Sequence, residues 1–333
     1  MMRLRNLGSK AALAAALAAA VVAAVPATAQ TPSSTPRSTP PRAADGRPDL
    51  QGIWSYATLT PIERPAEFAG KEFLTEQEAL AYEERRRQAD NKDRRDGPAA
   101  ADVSRAYNDF WWDFGTKVVV TRRTSLVVDP PDGRIPALTP EALRRNAARL
   151  EGGRLHPADG PENRPLAERC IILGSGGAPM LPSFYNNNMQ LVQTRDHVAV
   201  VNEMIHDARI ISLDARPPLP ESVRQWLGDS RGRWEGDTLV VETTNFTAQT
   251  NFRGASENLR LTERFTRVSE DTLLYQFTVN DPSSFTRPWT VEIPMRKSPE
   301  LIYEYACHEG NSGIAGVLSG ARAAEREAAR KTP

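Results

Sequence analysis

Apolar and polar residues alternate along much of the chain, and this two-residue period predicts a series of β-strands. Short turns separate several of the segments, so neighbours are expected to pair as an antiparallel meander and not as βαβ units. Closing a sheet removes its exposed edges, so a chain with this many predicted strands, given below, favours a mainly β fold that forms a barrel or a sandwich. The predicted strands are residues 49–55, 117–121, 125–129, 190–194, 197–205, 209–213, 237–246, 259–268, 272–280, 289–296 and 301–307.

Helix signals interrupt the strand pattern at three places. Thr75 and Glu78 make a T-x-x-E capping box, which predicts that a helix begins there. Thr139, followed by a proline, predicts the start of a second helix that the glycine pair 152–153 ends. The Ala-, Glu- and Arg-rich residues 315–330 predict a C-terminal helix on the surface.

The first 29 residues have the three parts of a secretory signal peptide. A basic start is followed by an apolar run over residues 11–25 and by the Ala-x-Ala site at 27–29. The run of about 15 residues is shorter than the roughly 20 that a transmembrane helix needs. We therefore expect cleavage after Ala29, a periplasmic or secreted protein, and no transmembrane segment after cleavage.

The next segment has a composition that differs from the rest of the chain. Residues 30–48 contain many Pro, Ser and Thr and hardly any apolar side chain, which predicts a disordered tether. Residues 49–333 are then expected to form a single β-barrel-like domain. Helical insertions are expected near residues 70–110 and 130–185.

Charge and cysteine content exclude several classes of protein. The 42 basic and 42 acidic side chains among 333 residues leave no positive excess for nucleic acid or an acidic membrane. Two cysteines are too few for a disulfide scaffold or a four-thiolate metal centre. In an exported protein Cys170 and Cys307 are expected to pair with each other, which would hold the loop around residue 170 beside the last predicted strand.

Two sequence features carry a resemblance to known proteins. Gly52-x-Trp54 resembles the G-x-W signature on the first strand of lipocalins, which implies a calycin- or lipocalin-like barrel. The blocks EMIHDARI, WLGDSRGRWEGDTLVVETTNF and YEYACHEGN resemble a widespread group of secreted bacterial proteins. That second resemblance implies no activity and no functional residue.

The densest group of chemically versatile residues lies at two predicted strand ends. If residues 203–209 and 305–311 meet at one mouth of a barrel, two imidazoles approach each other beside carboxylates, which are the usual groups of acid–base catalysis. Arg209 would stabilise an anion. The predicted catalytic residues are His206, Asp207, Arg209, His308 and Glu309. The alternative is that both histidines bond only to loop carbonyls.

Other residues suit contacts with a substrate. Adjacent amides offer donors and acceptors without charge to a hydroxyl-rich ligand, and aromatic rings offer flat surfaces to a sugar or a phenol. The predicted substrate-binding residues are Tyr185, Asn186, Asn187, Asn188, Glu203, Trp226, Glu304 and Tyr305. The alternative is an asparagine turn and aromatic side chains in the core.

Several carboxylates fall on otherwise apolar faces of the predicted strands. A buried carboxylate is costly unless it is paired or protonated, so these positions are candidates for a raised pKa. They are Glu203, Glu242, Glu263 and Glu304. A bent strand or a position at the rim of the sheet would explain each of them as well.

No motif names a reaction. The sequence has no H-E-x-x-H, H-x-H or C-x-x-C spacing, and we expect neither a metal nor an organic cofactor. The hypothesis is an exported enzyme, a lyase, isomerase or hydrolase, that acts on a small glycoside or phenolic compound. The alternatives are a non-catalytic ligand-binding β-barrel of the periplasm and a structural protein of the cell envelope.

Overall fold

Nine strands close into a barrel, and a tenth pairs outside it, within the residues that the computed structural model describes. These are residues 40–94, 98–104, 112–173 and 176–331. The predicted signal peptide, residues 1–29, and the part of the predicted tether up to residue 39 lie outside them. The strands are β1 Gly52–Ser55, β2 Val127–Asp129, β3 Asn188–Gln193, β4 His197–Asn202, β5 Ala208–Ser212, β6 Asp229–Glu235, β7 Thr238–Thr244, β8 Arg260–Arg267, β9 Thr272–Asn280 and β10 Trp289–Lys297.

The order of the strands around the barrel is β1-β3-β4-β5-β6-β7-β8-β9-β10, and β10 pairs again with β1. Strand β2 pairs with the other half of the same β10 edge and stays outside the closed sheet. Since strand directions cannot alternate all the way around an odd number of strands, one neighbouring pair must be parallel. That pair is β5 and β6, and a single residue pair, Ser212 with Arg231, joins them.

Large apolar side chains fill the barrel. Trp54, Phe265 and Tyr275 are fully buried or nearly so, and inward positions alternate with outward ones along β8 and β9. The segment before β3 joins the same core through Met180 and Leu181. The interior of this barrel is therefore a packed core.

An arginine closes one end of this core. Arg267 at the end of β8 is 3% exposed, and its guanidinium lies 5.4 Å from the centre of the Trp54 ring. It donates hydrogen bonds to the carbonyl oxygens of Asp49, Ser269 and Glu270. The chain that leads into β1 is thus held against the β8–β9 turn.

Among the described residues, three helices lie in the expected insertions and the fourth is the expected C-terminal helix. They are α1 Glu76–Asp90, α2 Ala99–Ser104, α3 Pro140–Leu155 and α4 Ser312–Lys331. Both hydrogen bonds of the predicted capping box are present, at 3.2 Å from the Glu78 N–H to the Thr75 hydroxyl and 2.8 Å from the Thr75 N–H to the Glu78 carboxylate. None of the helices in the described ranges has the length and apolarity to cross a bilayer.

The predicted end of α3 is wrong. The helix continues through Gly152 and Gly153 to Leu155, and the Gly152 carbonyl accepts a hydrogen bond from the His156 N–H. A glycine costs a helix only about 1 kcal/mol relative to alanine. The Arg154–Glu151 ion pair lies on the same final turn.

Two of the predicted strands do not form. Residues 117–121 lie beneath α1, where the Val118 and Val119 N–H groups donate to the Glu83 and Thr60 side chains and not to a strand. Residues 301–307, hereafter the strap, form no strand and do not pair with the sheet. The cause is closure: β10 already pairs with β1, so the barrel offers the following segment no free edge there.

Strand β6 forms without having been predicted, because charged residues interrupt its apolar pattern. Its inward positions include Gly232, where a Cβ would lie 2.8 Å from a methyl carbon of Ile211 and 2.7 Å from one of Leu213. Glycine is therefore what lets β6 lie close to β5 at the parallel pair.

The tether prediction extends too far along the chain. Residues 40–48, which the composition assigned to the tether, lie against the barrel. Arg42 pairs with Asp237 at 3.1 Å, Arg47 lies 5.9 Å from the centre of the Trp234 ring, and the Gln193 amide of β3 donates to the Pro48 carbonyl at 3.2 Å. Proline and serine content alone did not reveal these contacts.

Candidate functional site

A groove of about 720 Å³ opens beside the parallel pair of strands. One wall is residues 207–210, and the opposite wall is residues 224–230, which lead into β6. Cys170 and Ile171 complete the lining. The groove exists because β5 and β6 meet at only one residue pair and separate before it.

The wall formed by β5 presents backbone groups to the groove. The Asn202 N–H bonds to the Asp207 carbonyl at 3.0 Å, and the Leu213 N–H bonds to the Asp196 carbonyl at 2.9 Å. The odd-numbered residues of β5 therefore direct their backbone N–H and C=O groups towards β4. Ala208 and Ile210 direct theirs to the other side, where the groove lies. A ligand in the groove meets this edge.

The opposite wall supplies an aromatic ring and a cation. Trp226 is half-buried, and its carbonyl accepts a hydrogen bond from the Thr250 hydroxyl. The Arg169 guanidinium lies 5.7 Å from the centre of the indole ring. Arg224 donates to the Phe246 and Glu257 carbonyls, which hold the guanidinium near the groove without neutralising its charge.

Asp207 is the acidic group at the start of the β5 wall. Burial raises the pKa of its carboxyl, and the neighbouring charge of His206 opposes that effect. A half-buried carboxyl with a raised pKa can hold a proton and release it, so Asp207 is the best placed acid in the groove.

Replacing Asp207 with asparagine is expected to stabilise the protein at neutral pH. With its pKa raised above 3.8 in the folded state, the carboxyl binds its proton more tightly there, so stability falls as the pH rises through the raised pKa. The asparagine side chain does not ionise, so Asp207→Asn does not lose stability in this way. In urea denaturation over a pH series, the variant and the wild type should have equal free energies of unfolding in acid. As the pH rises, the value for the variant should become the higher of the two.

The sign control is Asp214→Asn. The Ser212 hydroxyl and then Arg216 lower the pKa of the exposed Asp214 carboxyl, so that variant should lose stability at neutral pH and match the wild type in acid. A pH-independent difference for Asp207→Asn would contradict the assignment.

No known family model matches the sequence. No curated protein is significantly similar to it either. The chemistry of the site therefore has to be argued from its own residues.

Arg209 does not have the predicted role of a free anion-binding group. Its side chain points into the barrel and forms a two-fold ion pair with Glu263 of β8, with 2.8 Å from Nη2 to Oε1. Although burial disfavours its charge, Glu263 outweighs that effect and raises the pKa of Arg209. The guanidinium is thus already neutralised.

Tyr275 completes this buried cluster. Its hydroxyl donates to Glu263 at 2.8 Å and accepts the Met180 N–H at 3.1 Å. Burial, and then the charge of Glu263, hold the pKa of Tyr275 well above its ordinary value, so the phenol keeps its proton. The cluster ties the segment before β3 to the barrel wall.

Several predicted residues do meet where the strap crosses the turn between β4 and β5. The Glu203 carboxylate is 2% exposed and accepts hydrogen bonds from the Asn188 amide at 2.7 Å and the Tyr303 N–H at 3.0 Å. The His206 ring nitrogen Nδ1 lies 2.7 Å from the Tyr305 carbonyl. Glu203 and His206 therefore hold the strap in place.

The asparagine run is mainly structural. Asn187 is fully buried, and its amide bonds to the backbone of Ser183 and to the Asp113 carbonyl. Asn186 has φ of 53°, which fits a turn. Tyr185 stacks on Tyr305 at 6.3 Å between ring centres. The alternative to a ligand-binding role, an asparagine turn, is what this geometry supports.

The remaining predicted residues belong to the strap and to the segment that follows it. Glu304, His308 and Glu309 are exposed, and in the described part of the chain no hydrogen bond joins them to the segment that carries His206. The two-histidine acid–base pair therefore stays a prediction. The predicted disulfide between Cys170 and Cys307 is confirmed, with Cα atoms 5.8 Å apart.

No three His, Cys, Asp or Glu side chains of the described residues converge as a metal site. Sequence reasoning missed Arg224, Asp229 and Ser230, because each sits in a short segment with no motif. A usable signal was their closeness along the chain to Trp226.

Proposed function

We propose that the groove beside β5 and β6 binds a small polar organic molecule with a flat face, of the glycoside or phenolic class. The observation that carries the proposal is that one groove combines a strand edge, a half-buried indole and a half-buried carboxyl whose pKa is raised. Its volume lies within the range of about 300–1,000 Å³ that small-molecule sites occupy. Apolar side chains fill the barrel interior, so the structure favours the groove over the interior as the binding site.

The place of action that we propose is the periplasm or the medium outside the cell. A disulfide persists in such oxidising surroundings, and the N-terminal pattern of basic, apolar and small residues is typical of an exported protein.

A catalytic role for the same groove is the second candidate. The raised pKa of Asp207 favours it, since a protonated carboxyl can donate to a leaving group or an enol oxygen. Lyase, isomerase and hydrolase chemistry all fit such an acid. Within the groove, Asp207 takes the role that the sequence gave to the two histidines.

Replacing Trp226 with alanine tests the binding proposal. Phenyl β-glucoside, which carries both a sugar and an aromatic ring, is the probe. Loss of the stacking surface should raise its Kd by about tenfold, as expected for roughly 1.4 kcal/mol. Titration calorimetry of both proteins with the probe gives the comparison.

The matched control is Val223→Ala, an exposed position on the same segment outside the groove lining. It should bind as the wild type does. If the wild type binds neither this probe nor other glycosides and phenols, or if Trp226→Ala binds equally well, the proposal is wrong. Turnover that Asp207→Asn removes while binding persists would favour the enzyme.

A further inference from the structure

A second pocket lies beside the groove. Its volume is about 470 Å³, and it lies between the second half of α3 and residues 162–169. Three arginines line it: Arg149, Arg164 and Arg169. Glu162 is the acidic residue of the lining.

Two of the three guanidiniums are available to a ligand. Arg164 forms a two-fold ion pair with Glu168, at 2.8 and 2.9 Å. Arg149 instead donates to the Ala248 and Gln249 carbonyls at 3.3 and 3.1 Å. Within the described ranges neither Arg149 nor Arg169 forms an ion pair with a carboxylate, so two positive charges face one pocket.

The surroundings of Arg149 make a bound anion favourable. Partial burial and then the positive charge of Arg145 lower the pKa of the Arg149 guanidinium. A bound oxyanion would offset this repulsion between positive charges. It would also accept hydrogen bonds from the guanidinium, whose fork of N–H donors matches carboxylate and phosphate geometry. The Asn163 side chain lines the same pocket, and its amide oxygen is engaged by the Gly160 N–H, so the amide nitrogen remains a donor.

A contact between two side chains links the pocket to the groove. Arg169 lines the pocket, Trp226 lines the groove, and the guanidinium lies 5.7 Å from the centre of the indole ring. A molecule stacked on the groove face of Trp226 therefore lies close to Arg169, which also lines the pocket.

We propose that this arginine pocket receives the oxyanion of the ligand, so that the groove and the pocket together select an acidic glycoside. This inference rests on the proposed function of the groove. A neutral glycoside uses the groove alone, whereas an acidic one adds charge-assisted hydrogen bonds from Arg149 and Arg169.

Two probes that differ only in the acid separate the proposals. Phenyl β-glucuronide and phenyl β-glucoside share the ring and sugar, and only the first carries a carboxylate. The wild type should bind the glucuronide at least about tenfold more tightly, and Arg149→Gln should remove this preference while keeping the glucoside affinity. Arg149→Lys, which keeps the charge and loses the fork, should fall between them.

The matched control is Arg154→Gln on the same helix, where the arginine pairs with Glu151 outside the pocket. It should keep the preference. Equal affinity of the wild type for both probes would overturn the acidic-ligand inference and leave the groove proposal standing. Binding of neither probe, together with no binding of other glycosides and phenols, would overturn the groove proposal itself. If Arg149→Gln and Arg169→Gln both still bind the glucuronide more tightly than the glucoside, the carboxylate binds outside the arginine pocket.

Discussion

Replacing Glu263 with glutamine is expected to lower the free energy of unfolding by about 3–5 kcal/mol. Glu263 is fully buried and is the ion-pair partner of Arg209, whose side chain is 4% exposed. Glutamine keeps the shape and can still accept from Tyr275, but it leaves a positive charge uncompensated inside the barrel. Guanidinium denaturation at neutral pH, with a check that the slope is unchanged, measures the loss.

Controls on the same sheet isolate the buried charge. Glu242→Gln removes an exposed carboxylate that pairs with Arg233 on the outside of β7, and it should cost less than about 1 kcal/mol. Tyr275→Phe leaves two buried groups short of one partner each and should cost about 1–3 kcal/mol. If Glu263→Gln loses no more stability than Glu242→Gln, the buried pair does not have the role assigned to it.

A double variant asks whether the pair itself stabilises the barrel. Breaking a buried pair is costly mainly because one charge remains, and replacing both partners by apolar residues of similar size often costs little. Arg209→Met combined with Glu263→Met should therefore be more stable than Glu263→Gln alone. A less stable double variant would show that the pair contributes beyond cancelling its own charges.

Removing the disulfide is expected to lower the free energy of unfolding by about 2–4 kcal/mol. Cys170 and Cys307 are 137 residues apart, so their bond closes a long loop and constrains the unfolded chain. It also holds the end of the strap against the loop around residue 170. The variant is Cys170→Ala with Cys307→Ala, compared with the wild type by chemical denaturation.

Reductant provides the control for this second prediction. Dithiothreitol should shift the wild type towards the double variant and leave the double variant unchanged. Hydrogen exchange at the Tyr303 amide should become faster in both cases, since Glu203 then holds the strap without the covalent bond beside it. A wild type with the same stability in reductant and in oxidising buffer would refute the stabilising role.

Local signals along the chain predicted the elements that depend on neighbouring residues. The Thr75–Glu78 capping box formed as expected, and β9 occupies the predicted Thr272–Asn280. The pairing of two cysteines could be predicted as well, because an exported chain with two thiols has one possible internal disulfide. These features need no knowledge of which strands meet.

Glu242 and Glu263 show where local signals end. Each lies on an apparently apolar strand face, yet Glu263 is buried against Arg209 while Glu242 is exposed beside Arg233. Alternation places two residues on opposite faces of a strand, but it does not say which face the barrel encloses when both carry apolar residues. The strap forms no strand for a related reason, because the edge of β10 that it would pair with is already paired with β1.

The sequence by itself determined a strand-rich chain with capped helical insertions, a formal net charge of zero, and one disulfide. Only the tertiary structure decided that nine strands close the barrel, that β5 and β6 are the parallel pair, and that a groove opens there. The physical reason is the range of the interactions. Periodicity, caps and cysteine count are properties of nearby residues or of composition, whereas strand order, buried charge pairs and the place where closure leaves an open edge depend on residues far apart in the chain.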